Sequence, residues 1–213
     1  MKQTLLVLLI VSLTACGRTS TTPSSSHAPV EAASVPAPTP ALQPTVIIGD
    51  ERKPIVAALT KGMELERDKM EGISFYSAKG RNYLASGLEA YISLPDRSLP
   101  IFRVRPTYYG DNWVFYDTLK VMADDEIVYE RTFKHGEVQH DNSSGSVWET
   151  ADYVAREPDL VALKKIANAK SATIRFSGRE RRDDHELTAK ERKRLQEVIA
   201  TYEQLTTQLQ RTS

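Results

Sequence analysis

Apolar residues recur at the spacing of a helix face in three segments, one near the start of the chain and two near its end. In the first segment, residues 50–67, Val56, Leu59 and Met63 fall on one side, as a 3.6-residue period requires. We expect a helix over these residues, with Gly72 marking its end.

The two later helical segments are residues 157–170 and 187–205. Pro158 stands at the start of the former, where a missing N–H does no harm. In the latter, Thr188 and Glu191 form the Ser/Thr-x-x-Glu pattern of a capping box. The apolar stripe of this last helix consists of Leu195, Val198, Ile199, Tyr202 and Leu205.

Between these helices apolar and polar residues alternate, which is the pattern of half-buried strands. Phe102 and Val104, for example, alternate with Arg103 and Arg105. The apolar pair should therefore face the core. The predicted strands span residues 73–77, 88–94, 101–109, 112–123, 126–134, 145–154 and 171–178.

The longest of these runs, residues 112–123, is expected to place four side chains on one face of its strand: Trp113, Phe115, Leu119 and Val121. Residues 123–125, Ala-Asp-Asp, are predicted to form a tight turn that pairs this strand with the next one.

Consecutive strands joined by short turns pair antiparallel, and strands that precede helices along a chain favour the α+β class. We therefore predict an α+β fold: a curved antiparallel β-sheet or half-closed sandwich, with an N-terminal helix and two C-terminal helices packed on it. Residues 46–213 are numerous enough to enclose a core and are predicted to form a single globular domain.

The chain begins with a positive charge and an uncharged apolar stretch that is too short to span a bilayer but has the length of a signal-peptide core. The stretch ends in Leu13, Thr14, Ala15 and Cys16, which resemble the lipobox of bacterial lipoproteins. The resemblance implies that residues 1–15 are removed and that Cys16 is acylated. The alternative is an ordinary signal peptide, or an uncleaved anchor, with an incidental cysteine.

Residues 16–45 continue from the lipobox and are rich in serine, threonine, proline and alanine. Such a segment buries too little apolar surface to offset its ordering entropy, so we expect a disordered tether. Its prolines stiffen it, which would hold the domain away from a lipid surface.

Charge and cysteine content narrow the choice of partners. The 28 basic residues balance the 28 acidic ones, so no net field attracts nucleic acid, and none is expected as a partner. Cys16 is the sole cysteine, which excludes an internal disulfide. We expect the cell envelope, with Cys16 anchored in a membrane. Because Gly17 rather than aspartate follows, this would be the outer membrane, facing the periplasm, in a Gram-negative host.

Two motifs in the second half of the chain are "AxAKxAxIRFxG" (167–178) and "LTxxExxxLxxxIxxYExL" (187–205). With "GISFY" and "NWVFYDTLKVMADD" upstream, they resemble a group of uncharacterised bacterial and phage-associated lipoprotein domains over roughly residues 70–205. That group has no assigned catalytic residues, so the resemblance implies none here.

Metal-ligand residue types cluster at residues 134–141, which contain His135, Glu137, His140 and Asp141. The two histidines are five residues apart, which fits neither one face of a strand nor a helical HExxH spacing. We interpret the segment as a solvated hairpin edge and assign no metal or cofactor. An enzyme would require His140 and Asp141 to converge in a pocket.

A second charged cluster contains Arg179, Arg181, Arg182, Asp183 and His185. The arginines are suited to clamp a carboxylate or phosphate through forked hydrogen bonds, and Asp183 with His185 could serve an enzyme. Because opposite charges adjoin one another, we interpret the segment as an exposed loop between a strand and a helix.

Arg103 and Arg105 should lie on the solvent face of their strand, with Tyr91, Tyr108 and Tyr109 near them. Tyrosine and arginine are enriched in protein interfaces. We therefore predict an interaction surface from these arginines, Tyr108 and Tyr109, together with the three arginines of the second cluster. The alternative is an ordinary solvent-facing side of a half-buried sheet.

The sequence contains no GxSxG nucleophile elbow, no phosphate-binding glycine loop and no CxxC pair. We therefore expect a lipid-anchored envelope lipoprotein with a non-enzymatic domain that binds an envelope protein or a glycan. Two alternatives stay open: an envelope hydrolase or metal-dependent enzyme, and a phage-exclusion or prophage-encoded envelope protein.

Overall fold

Three antiparallel sheets, one of them with only two short strands, and three helices form residues 45–211, the part of the protein that the computed structural model describes. The larger sheet curls into a half-barrel, so the predicted α+β fold with a curved antiparallel sheet is confirmed. The described residues belong to one unit that spans Ala41–Ser213. The predicted signal peptide, the lipobox with Cys16, and the tether up to residue 44 lie outside them.

The strands are short, and several consecutive pairs are joined by tight turns. They are β1 (Thr45–Val46), β2 (Glu64–Asp68), β3 (Ile73–Ser77), β4 (Gly87–Pro95), β5 (Ile101–Gly110), β6 (Tyr116–Ala123), β7 (Glu126–Thr132), β8 (Val138–Ser143), β9 (Ser146–Ala151), β10 (Tyr153–Val154), β11 (Ala172–Gly178), β12 (Arg182–Glu186) and β13 (Gln210–Arg211). The helices are α1 (Arg52–Leu59), α2 (Glu157–Asn168) and α3 (Ala189–Leu209).

The larger sheet has seven strands in the order β2-β3-β4-β5-β9-β8, with the short β10 also paired to β5. The second sheet has four strands in the order β12-β11-β6-β7, and β1 pairs with β13 near the two ends of the domain. All of these pairings are antiparallel.

One hydrophobic core joins the two sheets and the helices. Val104 of the larger sheet, Leu119 and Ile174 of the smaller sheet, Leu163 of α2 and Leu205 of α3 all have an exposed fraction of 0%. Burial of side chains of this size supplies about 1.5–3 kcal/mol each, so these contacts fix how the helices lie on the sheets.

Local signals at two element boundaries are confirmed. At the start of α3, the Glu191 N–H donates to Thr188 Oγ1 (3.2 Å) and the Thr188 N–H donates to Glu191 Oε2 (2.8 Å), which is the predicted capping box. Between β6 and β7, Asp124 and Asp125 adopt φ values of 47° and 68°, as a two-residue hairpin turn with positive φ requires.

The prediction of one helix over residues 50–67 is wrong in its second half. The helix α1 ends at Leu59, and Glu64–Asp68 form β2, which pairs with β3. Gly62 at φ +97° breaks the helical path, and Gly72 at φ +65° turns the chain between β2 and β3. Pairing with a neighbouring strand outweighs the helical spacing of three apolar residues.

The prediction of an exposed loop over the second charged cluster is also wrong for Arg182–Glu186. These residues form β12, an edge strand whose partner is β11. An edge strand with polar residues on both faces shows no apolar alternation, so the sequence pattern could not reveal it. The segment 134–141 was expected at a hairpin edge, and its second half indeed enters the edge strand β8.

The chain between β5 and β6 breaks the expected alternation, since β6 starts only at Tyr116. Phe115, at φ +52°, is 60% exposed, whereas Tyr116 is 2% exposed. The prediction that Phe115 continues the inward face of Val121 is therefore wrong, whereas Trp113 is half-buried and packs against the core. A left-handed residue reverses the direction of the side chains that follow it.

A buried carboxylate holds this strained connection. Glu149, on the inward face of β9, is fully buried. It accepts hydrogen bonds from the backbone N–H groups of Val114, Phe115 and Tyr116 at 2.5, 2.8 and 2.8 Å. On the other side, a Cβ on Gly178 would come within 2.1 Å of the Val114 carbonyl oxygen. The backbone at residues 114–116 is therefore fixed from both sides.

Candidate functional site

The alternation along β5 separates a core face from an outer face of the larger sheet. Phe102 and Val104 are buried, whereas Arg103, Arg105 and Thr107 are half-buried and point to the other side. Because the strands pair antiparallel and in register, outer-face residues of neighbouring strands come together at one surface.

The centre of this outer face is an ion cluster around Asp152, the residue between β9 and β10. Asp152 Oδ1 accepts from Arg103 Nε and Nη2 at 2.9 and 2.7 Å. Asp152 Oδ2 accepts from Arg105 Nε and Nη2 at 3.1 and 2.8 Å, and from the Tyr91 hydroxyl at 2.6 Å. The guanidinium of Arg105 also lies 4.8 Å from the centre of the Tyr91 ring.

These contacts shift the pKa of both acidic partners. Burial alone raises the pKa of Asp152, but the hydrogen bonds from Tyr91, Arg105 and Arg103 outweigh it and leave the pKa below its usual range. Burial and the neighbouring carboxylate raise the pKa of Tyr91. Asp152 is therefore ionised and Tyr91 neutral at pH 7, so the two guanidinium groups and one carboxylate leave one positive charge.

A groove of about 990 Å³ lies over this face. The segment joining β3 to β4 forms one wall, where the Tyr83 carbonyl oxygen accepts from Trp148 Nε1 at 3.1 Å. The Tyr109 ring lies 5.2 Å from the Trp148 ring. Polar side chains of β5, β8 and β9 also face the groove: Thr107, Gln139, Asp141, Ser143 and Thr150.

The end of the groove near the start of α3 carries two carboxyl groups in different environments. Burial raises the pKa of Glu89, only partly offset by Arg81 and Arg105. Burial also acts on Glu191, but hydrogen bonds from His185, whose Nε2 lies 3.0 Å from Glu191 Oε1, and from Thr188 lower its pKa overall.

A glycine on β4 leaves room for the Glu191 carboxylate. A Cβ on Gly87 would come within 2.8 Å of Glu191 Oε1, so a larger residue there would force this carboxylate to move. Glu89 follows two residues later on β4 and pairs across the sheet with Arg105. The acidic end of the groove and the Asp152 cluster are thereby continuous.

The predicted interaction surface is only partly assembled. Arg103 and Arg105 meet at Asp152 as described, and Tyr109 lines the same face, where its hydroxyl donates to Ser146 Oγ at 3.0 Å. Tyr108 does not belong to this surface. Its side chain lies on the same core-facing side of β5 as that of Val104 and is 6% exposed. Its hydroxyl group donates a hydrogen bond to the Asn112 carbonyl oxygen.

The three arginines of the second cluster lie elsewhere in the topology. Arg179 and Arg181 occupy the turn between β11 and β12, Arg182 begins β12, and all three are exposed at one end of the four-stranded sheet. Asp184 of the same strand is held by Arg175, through bonds at 2.6 and 2.5 Å, rather than by these arginines.

The histidines of the described chain lie at three separate places. His135 is exposed, His140 packs on the rings of Trp113 (5.8 Å) and Phe115 (5.4 Å), and His185 bonds Glu191. Within residues 45–211, no three histidine, cysteine or acidic side chains come together as a metal site. His140 and its neighbour Asp141 are consecutive in β8 and therefore lie on opposite faces of the strand, so the structure does not bring this pair together.

The residues that organise the groove were largely missed from the sequence. Asp152 stands alone between strands, and its partners are 47 or more positions earlier in the chain. One signal was available: Trp148, Thr150 and Asp152 have the same parity, opposite to Val147, so they must share the outer face.

Comparison with known proteins gives no indication of the function, so the proposal below rests on the sequence and on the geometry of the groove. The chain matches no protein-family model, no curated protein and no solved structure. None of the helices within residues 45–211 has the length and apolarity that a bilayer crossing requires.

Proposed function

We propose that this protein is a lipid-anchored cell-envelope lipoprotein whose domain binds an envelope glycan in the polar groove. The observation that carries the proposal is the outer face of the larger sheet, where hydroxyl and amide side chains lie beside Trp148, itself packed on Tyr109, in a groove of about 990 Å³. Ligand sites of this size commonly combine apolar rings with a few fixed polar groups.

The ion pairs at the floor of the groove favour a hydroxyl-rich ligand there. Arg103 and Arg105 already donate to Asp152, and Arg81 lies 3.5 Å from Glu89, so an anion would have to displace an internal carboxylate. Sugar hydroxyl groups both donate and accept, and can bond Thr107 and Thr150 without breaking an ion pair.

The membrane anchor in this proposal rests on the lipobox resemblance of Leu13, Thr14, Ala15 and Cys16. Acylated Cys16 would place the groove next to the glycan of the envelope. A Cys16→Ser protein should move from the membrane fraction to the soluble fraction. Equal retention of both forms in the membrane would remove the anchor from the proposal.

Glycan binding can be tested with the two tryptophans of the chain, of which Trp148 lines the groove and Trp113 does not. Peptidoglycan sacculi are incubated with the protein and sedimented. We expect Trp148→Ala to weaken binding about tenfold, because a well-placed aromatic contact contributes up to about 1.5 kcal/mol. The matched control Trp113→Ala should bind as the wild type does. No sedimentation of the wild type, or equal loss in both variants, would contradict the proposal.

A second function, glycan hydrolysis, is favoured by one observation. Glu89 and Glu191 line the same groove with pKa values shifted in opposite directions, as in pairs that act as acid and base. Chromatography of the glycan after long incubation would then show cleavage that Glu89→Gln abolishes while binding persists. Intact glycan would eliminate the hydrolase and leave the binding function in place.

A further inference from the structure

A second groove, also of about 990 Å³, lies between α1 and the strands β2 to β4. It shares no lining residue with the polar groove. Its lining includes the apolar side chains of Val56, Met63, Leu65, Tyr76 and Leu94. Leu65 is 60% exposed, so part of this apolar surface faces solvent.

A buried cation with incomplete hydrogen bonding lines the same groove. Arg52, the first residue of α1, is only 6% exposed. Its Nη1 donates to the Asp96 carbonyl oxygen at 3.2 Å, but its Nη2 is buried and has no acceptor within residues 45–211. Burial lowers the pKa of Arg52, yet a guanidinium stays charged at any physiological pH.

The nearby carboxylates are engaged by other cations. The Asp96 carboxylate accepts a forked pair of bonds from Arg67 at 2.9 and 2.7 Å. Asp50 accepts from Lys53 at 2.7 Å. Leaving a buried charged donor unsatisfied costs free energy, so the missing acceptor at Arg52 Nη2 calls for an explanation outside the side chains of residues 45–211.

We propose that this groove binds an amphiphile with one anionic head group, a carboxylate or a phosphate. The head group would accept from Arg52 Nη2, with the exposed Arg97 as a second cation at the rim. The alkyl chain would cover Val56, Met63 and Leu65. This inference does not depend on the glycan proposal, because it uses a different groove.

The first test uses the unaltered protein and a series of head groups. The fragment Ala41–Ser213 is suitable because it is one unit and contains the whole described core. It is titrated calorimetrically with dodecyl phosphate, dodecanoate, dodecyltrimethylammonium and dodecyl maltoside, each below its micelle concentration. We expect saturable binding of the two anions and at least tenfold weaker binding of the cation and the neutral detergent. Equal binding of all four would overturn the proposal.

The alkyl part is tested by chain length and by the bare anion. Octyl, decyl and dodecyl phosphate should bind about tenfold more tightly for every two methylene groups added. Inorganic phosphate alone should not compete with dodecyl phosphate at equal concentration. If inorganic phosphate competes as strongly as dodecyl phosphate, the site takes a free anion and the amphiphile proposal fails.

The role of the guanidinium is tested with Arg52→Met, which keeps the length of the side chain and removes the charge. The variant loses one hydrogen bond to the Asp96 carbonyl oxygen together with one unsatisfied buried donor, so it is expected to stay folded, which circular dichroism verifies. Dodecyl phosphate should bind this variant at least tenfold more weakly, whereas dodecyl maltoside binding should not change.

The matched control is Lys61→Met, two residues beyond the end of α1. Lys61 is exposed and does not line this groove, so its loss should change dodecyl phosphate affinity less than twofold. If Lys61→Met weakens binding as much as Arg52→Met does, the attraction is a general charge effect and the specific site is refuted.

Discussion

Replacing Glu149 by glutamine should destabilise the domain strongly, although the side chain keeps its size. The carboxylate is fully buried and accepts three backbone N–H bonds of 2.5–2.8 Å. A glutamine offers one oxygen and an NH₂ group. The NH₂ group would face at least one of the three N–H donors, which would then be buried without an acceptor.

The expected loss of stability follows from the free-energy cost of an unsatisfied buried N–H donor. A buried donor left unsatisfied costs about 1–3 kcal/mol, and each bond to a charged acceptor contributes about 1.5–3 kcal/mol. Relief of the buried charge offsets part of the loss, so we expect Glu149→Gln to lower the free energy of unfolding by about 2–4 kcal/mol. With a urea m-value of about 2 kcal/mol/M, the unfolding midpoint should fall by about 1–2 M.

Glu137 provides the matched control. It also accepts a bond from a backbone N–H, that of Lys134 at 2.8 Å, but it is exposed, so water replaces the bond when it is lost. Glu137→Gln should change stability by less than about 0.5 kcal/mol. If Glu149→Gln and Glu137→Gln shift the urea midpoint equally, the carboxylate does not hold residues 114–116 as argued.

Three further predictions concern backbone strain, acid stability and helix capping. Phe115→Gly should be about 1 kcal/mol more stable than Phe115→Ala in urea unfolding, because both lose the ring but only glycine adopts φ +52° without strain; equal stability would contradict this. Because the pKa of Asp152 is lowered on folding, its contribution is present above the unfolded pKa and lost as pH falls through the folded value. Asp152→Asn should therefore destabilise the protein at pH 7 and have a much smaller effect in acid, where Asp152 is protonated in both states, and an equal effect at both pH values would refute the linkage. Thr188→Ala should cost about 1 kcal/mol through loss of the cap, whereas Thr207→Ala, near the other end of α3, should lie within about 0.5 kcal/mol of the wild type in thermal unfolding.

Sequence patterns predicted the elements whose signal is local. The alternation in residues 101–109 and the capping box at Thr188 both depend on neighbours within a few positions, and both are confirmed. The strand β2 was mistaken for helix because its identity depends on pairing with β3 rather than on its own periodicity. The strand β12 was missed for the same reason, since an exposed edge strand has no apolar face.

The candidate site was harder to predict because its residues meet only through strand register. Arg103 and Arg105 were selected for their parity, but their acceptor, Asp152, joins them only because β9 and β10 both pair with β5. Glu149 was still harder to predict, since the alternation rule expects an apolar residue at this inward position of the strand. A carboxylate can be buried there only because three backbone N–H groups, more than 30 positions away in the sequence, donate to it.

The two acidic residues of the β9 region show why a ligand should bind on the outer face and not in the core. Glu149 is satisfied by backbone N–H groups that cannot turn away, so its bonds cannot be exchanged without unfolding residues 114–116. Asp152 is bonded by Arg103 and Arg105 and is itself 27% exposed, so a ligand in the groove can reach this cluster while its ion pairs stay in place. The buried carboxylate stabilises the scaffold, and the half-exposed one holds Arg105 at the floor of the groove, beside the hydroxyl groups of Thr107 and Thr150 that a glycan can bond.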